Sequence, residues 1–321
     1  MSLLISVVIC TRNRAGLLAR ALESVCRQTL DASRYEVVVV DNGSSDDTPG
    51  VVARFAAGHA NVRGVTEPRT GLSHARNRGW KEARGEYVGF LDDDGTASPE
   101  WLAVAREIIG EIRPSAFGGP YYASYASSKP RWWKDVYRSF RPGDEARPLR
   151  PGEHLSGGNL FLRKDILAAA GGFDPGLGMA GNRISMGEET RLLKEIRLRC
   201  PDALIYYDPR LYIHHLVHPA KMKWRWLFRY WFAGGRDSWR VSRGSSPEEK
   251  PGDLLAEGAR TLVELAKSVL RAALKRDRVR YPYPQNFLFE VTSQHVFALG
   301  ALRERLARSR RRSVSTEERG G

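Results

Sequence analysis

The apolar run Tyr87-Val88-Gly89-Phe90-Leu91 ends in three consecutive carboxylates, Asp92-Asp93-Asp94, followed by Gly95. The run reads as a buried strand, and a buried strand with so acidic an end must open there onto water or a bound cation, because adjacent carboxylates repel unless screened. Two aspartate oxygens together with phosphate oxygens are a common way to hold Mg2+ or Mn2+ against a nucleotide. The plainer alternative is an acidic turn or a helix N-cap. Ser98-Pro99-Glu100-Trp101 gives the next helix its own cap and first-turn proline, so the triplet lies too far upstream to serve it.

The elements before the triplet extend this constraint. Residues 4–10 and 37–41 read as strands, and Leu17, Leu18, Ala21, Leu22 and Val25 recur between them at helical spacing. A helix over 48–55, a short strand over 62–66 and a helix over 72–82 lead on to the apolar run. This alternation predicts an α/β chain with a mostly parallel sheet flanked by helices, and such sheets bind ligands beyond the carboxyl ends of their strands. Asp41 and the triplet both fall at those ends, so acidic sites from two strands converge on one rim.

With 321 residues and 42% hydrophobic content, the chain can build one sizeable core plus an appendage. No apolar run approaches the ~18 residues of a membrane span, and Leu3-Leu4-Ile5-Ser6-Val7-Val8-Ile9 lacks the flank and cleavage site of a signal peptide. The expected location is the cytoplasm. Cys10, Cys26 and Cys200 have no CxxC spacing, which argues against disulfides or zinc and for oxygen and imidazole as metal donors.

The net charge of +14 is lopsided: residues 220–321 carry 22 Lys and Arg against 11 Asp and Glu, and residues 1–219 carry 29 against 26. A nearly neutral catalytic body, 1–219, is therefore expected to precede a basic helical extension, 220–321, with a disordered tail at Arg308-Ser309-Arg310-Arg311-Arg312. Within the extension, Trp224, Leu227, Phe228 and Trp231 form one helical stripe while Trp226 and Tyr230 lie on another side. That helix should be buried on more than one face, by protein or by a bilayer interface. A second helix, 259–275, sets Leu262, Leu265, Ala266, Val269 and Ala273 against Arg260, Glu264, Lys267, Arg271 and Lys275, with Pro247, Pro251 and Gly252 as the linker between the two. Core packing or a homodimer explains both helices; peripheral contact with an anionic membrane is the sharper alternative.

Four motifs in register carry a resemblance: Ser6-Val7-Val8-Ile9-Cys10-Thr11-Arg12-Asn13-Arg14, Val39-Val40-Asp41-Asn42-Gly43-Ser44-Ser45-Asp46-Asp47-Thr48, Gly71-Leu72-Ser73-His74-Ala75-Arg76-Asn77 and Leu91-Asp92-Asp93-Asp94. Together they resemble family two glycosyltransferases of bacterial type, over residues 4–215. The resemblance implies a GT-A fold, a nucleotide-sugar donor, Mn2+ or Mg2+ as cofactor, and transfer with inversion at the anomeric carbon. Thr11 and Asp41 match positions that contact the nucleoside, and a strand-end carboxylate can accept the imide N–H of uracil, which favours a UDP-sugar. Arg76 matches a basic position near the nucleotide, and Arg14 is assigned to the same donor site. Asp92 fits a ribose and metal contact and Asp94 a direct metal ligand; Asp93, counted with the donor site, would point the other way. The stretch Leu155-Ser156-Gly157-Gly158-Asn159-Leu160-Phe161 matches one that borders donor and acceptor, so Gly158 and Asn159 are expected at the acceptor, together with Trp132 and Trp133.

Met186-Gly187-Glu188-Glu189-Thr190 resembles the family segment that supplies the catalytic carboxylate before a helix. The usual Glu-Asp pair is Glu-Glu here, so Glu189 holds the position of the base with one extra methylene and Glu188 is the alternative. Among His214, His215 and His218, His215 is the choice for a metal contact. The GxGxxG of Gly176-Leu177-Gly178-Met179-Ala180-Gly181 follows no strand and is excluded as a dinucleotide site. The resulting expectation is an inverting, metal-dependent glycosyltransferase acting on a saccharide or lipid-linked saccharide in surface-polysaccharide assembly. It would work in the cytoplasm or at the inner face of the plasma membrane, with no nucleic-acid partner. A nucleotidyltransferase on a related sheet lacks its Gly-rich, Lys-bearing loop here, and a nucleic-acid binder would use only the basic third.

Overall fold

The structure, a computed structural model, describes residues 3–181, 183–242, 251–274 and 277–317, with side chains through 309. Two compact units are resolved. The first comprises Met1–Ala126, Asp135–Asn182 and Glu188–Val217; the second comprises Ser127–Lys134, Arg183–Gly187 and His218–Gly321.

The first unit is built on an eight-stranded sheet. Its strands are β1 (Ile5–Thr11), β2 (Tyr35–Asp41), β3 (Val62–Thr66), β4 (Tyr87–Asp92), β6 (Ala116–Gly118), β8 (Arg147–Pro148), β9 (Asn159–Arg163) and β10 (Ile205–Tyr207), in the order β3-β2-β1-β4-β9-β6-β10-β8. Strands β3, β2, β1 and β4 are mutually parallel, while β9 runs antiparallel between β4 and β6. Both faces are covered, which is why the strands read as unbroken runs of Val and Ile. Val7, Ile9, Val37 and Val39 pack with Leu18 and Leu22 of α1 (Ala15–Cys26) and Trp101 and Leu102 of α4 (Trp101–Glu111). The alternate residues Val8, Val38, Val40 and Phe90 pack with Ala75 of α3 (Leu72–Glu82), Leu167 of α5 (Lys164–Ala169) and Leu192 of α6 (Glu188–Arg199). Helix α2 (Thr48–Gly58) links β2 to β3.

The strand order reverses at β1, with β2 and β3 on one side and β4 on the other, and this switch point is where such sheets receive ligands. Register puts Thr11 opposite Asp41 and Cys10 opposite Asp92, so the expected acidic rim is formed by adjacent strand ends. A second, three-stranded sheet of β5 (Gly95–Ala97), β11 (Ile213–Val217) and β7 (Tyr121–Tyr125) lies beyond the triplet in the chain and pairs His215 with Gly95.

The second unit contains α7 (Trp224–Val241), α8 (Pro251–Leu274) and α9 (Pro284–Glu317). Helices α7 and α9 touch backbone to backbone: a Cβ on Gly235 would lie 1.8 Å from the Phe297 carbonyl oxygen, and one on Gly300 2.0 Å from that of Phe232. Trp231 meets the rings of Phe289 and Phe297, and Phe228 meets Phe289, so α9 covers much of the aromatic helix. The segment 183–187 is held by α7, with Arg236 donating to the Ile184 carbonyl (2.6 Å) and buried Asp237 accepting the Met186 N–H (3.1 Å).

Three local expectations are corrected. Pro251 and Gly252 open α8 rather than linking to it, because proline suits a first helical turn. Residues 308–312, expected as a disordered tail, continue the α9 helix. Helix α4 begins at Trp101, and Ser98 instead turns the chain into it through the Trp101 N–H to Ser98 carbonyl bond. Pro247 and Lys275 lie outside the described residues.

Candidate active site

Asp92 is the last residue of β4, and Asp93 and Asp94 form the turn into β5. The small sheet fixes what faces them. Leu216 of β11 donates its N–H to the Asp94 carbonyl (2.8 Å), which sets His215 Nδ1 3.4 Å from Asp94 Oδ1. Ligand atoms of Asp92, Asp94 and His215 all lie within 4.8 Å of one another. Two hard carboxylate oxygens and one imidazole fit Mn2+ or Mg2+ and not a thiolate-seeking metal. Of the other candidate histidines, His214 meets Tyr122 at a tilt and Tyr212 edge-to-face, and His218 accepts the Ala220 N–H as the cap of a short turn.

Asp93 faces away from this cluster, as the resemblance implied, and is corrected as a donor contact. It is buried, accepts from Thr11 Oγ1 (2.8 Å) and pairs with Arg14 (2.8 Å). Burial raises its pKa above the ordinary carboxylate range despite the attraction of Arg14. Thr11, itself buried, and the partly exposed Arg14 belong to the same cluster. The Thr11 hydroxyl donates to Asp93, and Arg14, 3.5 Å from Asp94, braces the acidic turn. Its own pKa is raised, chiefly by Asp93. Asp41 stays on the rim, with Oδ1 accepting the Ser44 N–H (2.9 Å).

Arg76 pairs with the acidic strand end. Helix α3 places it 3% exposed, bonded to Glu188 Oε1 (2.7 Å) and Asp92 Oδ1 (3.1 Å), with Phe173 under its guanidinium. Burial opposes its charge, but Glu188 and Asp92 outweigh that and raise its pKa. It therefore ties the Asp92 carboxylate at the end of β4 to the start of α6. Glu188 is buried in this pair, whereas among the described residues no ion pair or side-chain hydrogen bond holds the Glu189 carboxyl. Enclosure, and then the charge of Glu188, raise the Glu189 pKa above the ordinary carboxylate value.

Gly157 and Gly158 make room for this arrangement: a Cβ on Gly157 would meet Arg76 Nη1 at 2.9 Å, and one on Gly158 would meet Asp92 Oδ2 at 2.3 Å. Asn159, expected at the acceptor, is fully buried. It accepts from Trp101 Nε1 (2.8 Å) and donates to the Pro120 and Leu211 carbonyls, so its amide is committed to the core. Trp133 is likewise buried, while Trp132 is only partly so. The rejected GxGxxG lies in the loop between α5 and α6, where Ser73 donates to the Leu177 carbonyl (2.8 Å).

Sequence reading missed Asn13, which joins the loops after β1 and β2. Its N–H donates to Ser44 Oγ (2.9 Å) and its Oδ1 accepts the Ser45 N–H (2.6 Å). The available signal was chemical: Asn13 sits at φ 53°, in the left-handed region that asparagine tolerates better than most residues.

Residues 6–171 match the family described as Glycosyl transferase family 2. The chain belongs to this family. Among its relatives are a glucosyl-dolichyl phosphate glucuronosyltransferase of Haloferax volcanii, 25% identical over 72% of this chain and 75% of the relative, and the succinoglycan biosynthesis protein ExoM of Rhizobium meliloti, 27% identical over 74% of each. Among solved structures, a Pyrobaculum calidifontis mannosyltransferase in complex with GDP-Man and Mn2+ aligns with TM-score 0.62 at 20% identity, covering 94% of this chain and 86% of that one. S. aureus TarS 1-349 in complex with UDP-GlcNAc aligns at 0.56 and 18%, covering 93% and 92%. The fold shared with these structures is the GT-A fold, and this glycosyl transferase family 2 member is a glycosyltransferase.

Proposed function

We propose that the chain transfers a sugar, with inversion, from a nucleoside-diphosphate donor to a saccharide or lipid-linked acceptor, and that Asp92, Asp94 and His215 hold a divalent metal in doing so. The clustering of their ligand atoms within 4.8 Å at the sheet's switch point carries this reading. A metal held there would supply positive charge to neutralise the diphosphate leaving group. Asp41, on the same rim, accepts ring N–H from a uracil or guanine base, and the solved relatives bound to GDP-Man and UDP-GlcNAc support a nucleotide-sugar donor. Glu189 serves as base toward the acceptor hydroxyl. With Glu188 neutralised by Arg76, Glu189 is the carboxylate left to take a proton, and its raised pKa brings its basicity closer to the working pH. The dolichyl phosphate in one relative's name supports a lipid-linked acceptor. A thermal-shift screen of nucleotide sugars with and without Mn2+ tests the donor site: at least one should raise the unfolding midpoint only with metal present, and an equal rise without metal argues against the assigned metal site.

A further inference from the structure

We propose that the outward face of α8 is a docking surface for an anionic phospholipid bilayer. This helix has two sides. One is tied to α9 by the Arg305–Glu257 ion pair, the contact between His295 and Ser268, and Gly258 against Leu302. The other carries Leu255, Leu262, Val263, Leu270 and Leu274, which are 59, 54, 51, 61 and 78% exposed. At 100° per residue these five fall within an arc of about 120°, so they form one stripe. The turn that follows adds Arg278-Val279-Arg280, with Val279 93% exposed. Single exposed leucines are ordinary, but a contiguous aliphatic stripe marks an interaction surface.

Charge selects the occupant. Arg260, Lys267 and Arg271 lie together along one edge of the stripe, where Asp253 shares the azimuth of Arg271 and Lys267 shares its charge with Glu264 (2.8 Å), and Arg278 and Arg280 follow in the turn. Residues 220–321 carry 22 basic residues against 11 acidic ones. A second copy of this chain would bring the same excess of positive charge against it, whereas an anionic headgroup layer complements the cations while its acyl boundary receives the leucines. Among the described residues no helix is long and apolar enough to cross a membrane; attachment through an apolar stripe and basic side chains is peripheral and reversible. For this role the sequence offers, besides α8, the Trp-rich α7. Its Phe228 and Trp231 pack on α9, which moves the lipid-facing surface to α8.

The proposal does not depend on the donor chemistry and is tested without it. The full chain is co-sedimented with vesicles of phosphatidylcholine alone and with vesicles that also contain phosphatidylglycerol, at low and high salt. The comparison is with the double variant Leu262→Asp, Leu270→Asp and with Leu198→Asp, an equally exposed leucine of α6. Wild type and Leu198→Asp should bind the anionic vesicles at low salt and be released by high salt, while the double variant partitions roughly a hundredfold less with an unchanged circular dichroism spectrum. Failure of the wild type to bind, equal binding to neutral vesicles, or full binding by the double variant overturns the proposal. So does light scattering that shows a wild-type dimer which the double variant dissociates, because the stripe is then an interface between copies.

Discussion

Arg76, Glu188 and Glu189 show how two like carboxylates at adjacent positions come to sit in different electrostatic surroundings. Arg76 neutralises Glu188 and leaves Glu189 with a proton affinity above that of an ordinary glutamate. Glu189→Gln should fold and retain donor affinity while transfer drops by about 10²–10⁴; the Glu188→Gln variant showing this phenotype instead would exchange the roles. The same shift makes a stability prediction. Because the folded pKa lies above the unfolded value, both states hold the proton at low pH, and stability falls as pH rises from the ordinary glutamate value through the folded one. Glu189→Gln removes that loss, so thermal unfolding across pH should show the variant gaining on the wild type toward alkaline pH; parallel curves would contradict the enclosure of this carboxyl. At Gly158 the argument is steric. A Cβ 2.3 Å from Asp92 Oδ2 must displace that carboxylate, so Gly158→Ala should weaken Mn2+ binding, measured by calorimetry, at least tenfold, about 1.4 kcal/mol.

The small sheet is the element that completes the site, since β11 carries His215 to Asp94 from more than a hundred residues away in sequence. The acidic strand end and the strand–helix alternation were legible because a buried parallel sheet demands apolar runs and its carboxyl ends collect ligands. The fates of Asn159 and Arg76 were not legible. Polar residues in a motif look the same in sequence whether they face a ligand or satisfy the interior, and only the Trp101, Pro120 and Leu211 partners of Asn159 show which it does. The aromatic stripe of α7 was legible as a surface needing cover; Gly235 and Gly300, which admit α9 as the cover, do not name their partner helix in the sequence. Gly300→Val should force α7 and α9 apart and destabilise the fold by about 1–3 kcal/mol or more, read as a lower unfolding midpoint in denaturant.

At the scale of the whole molecule, the division of labour follows the charge: a nearly balanced first two-thirds carries the site and a strongly basic last third carries the helices. The segment 183–187 belongs with those helices and leads directly into Glu188, so the chain passes from a backbone gripped by Arg236 and Asp237 into the helix that begins with both glutamates. The central claim is that Asp92, Asp94 and His215 hold the metal on which sugar transfer depends. It is tested most directly by following nucleoside-diphosphate release from a nucleotide sugar that the protein binds, in the presence of acceptor, for wild type and Asp94→Ala with Mn2+ and with EDTA. Release should require Mn2+ in the wild type and fall by several orders of magnitude in Asp94→Ala, a loss on the order of several kcal/mol at the transition state. Undiminished release in EDTA, or by Asp94→Ala, would contradict the account.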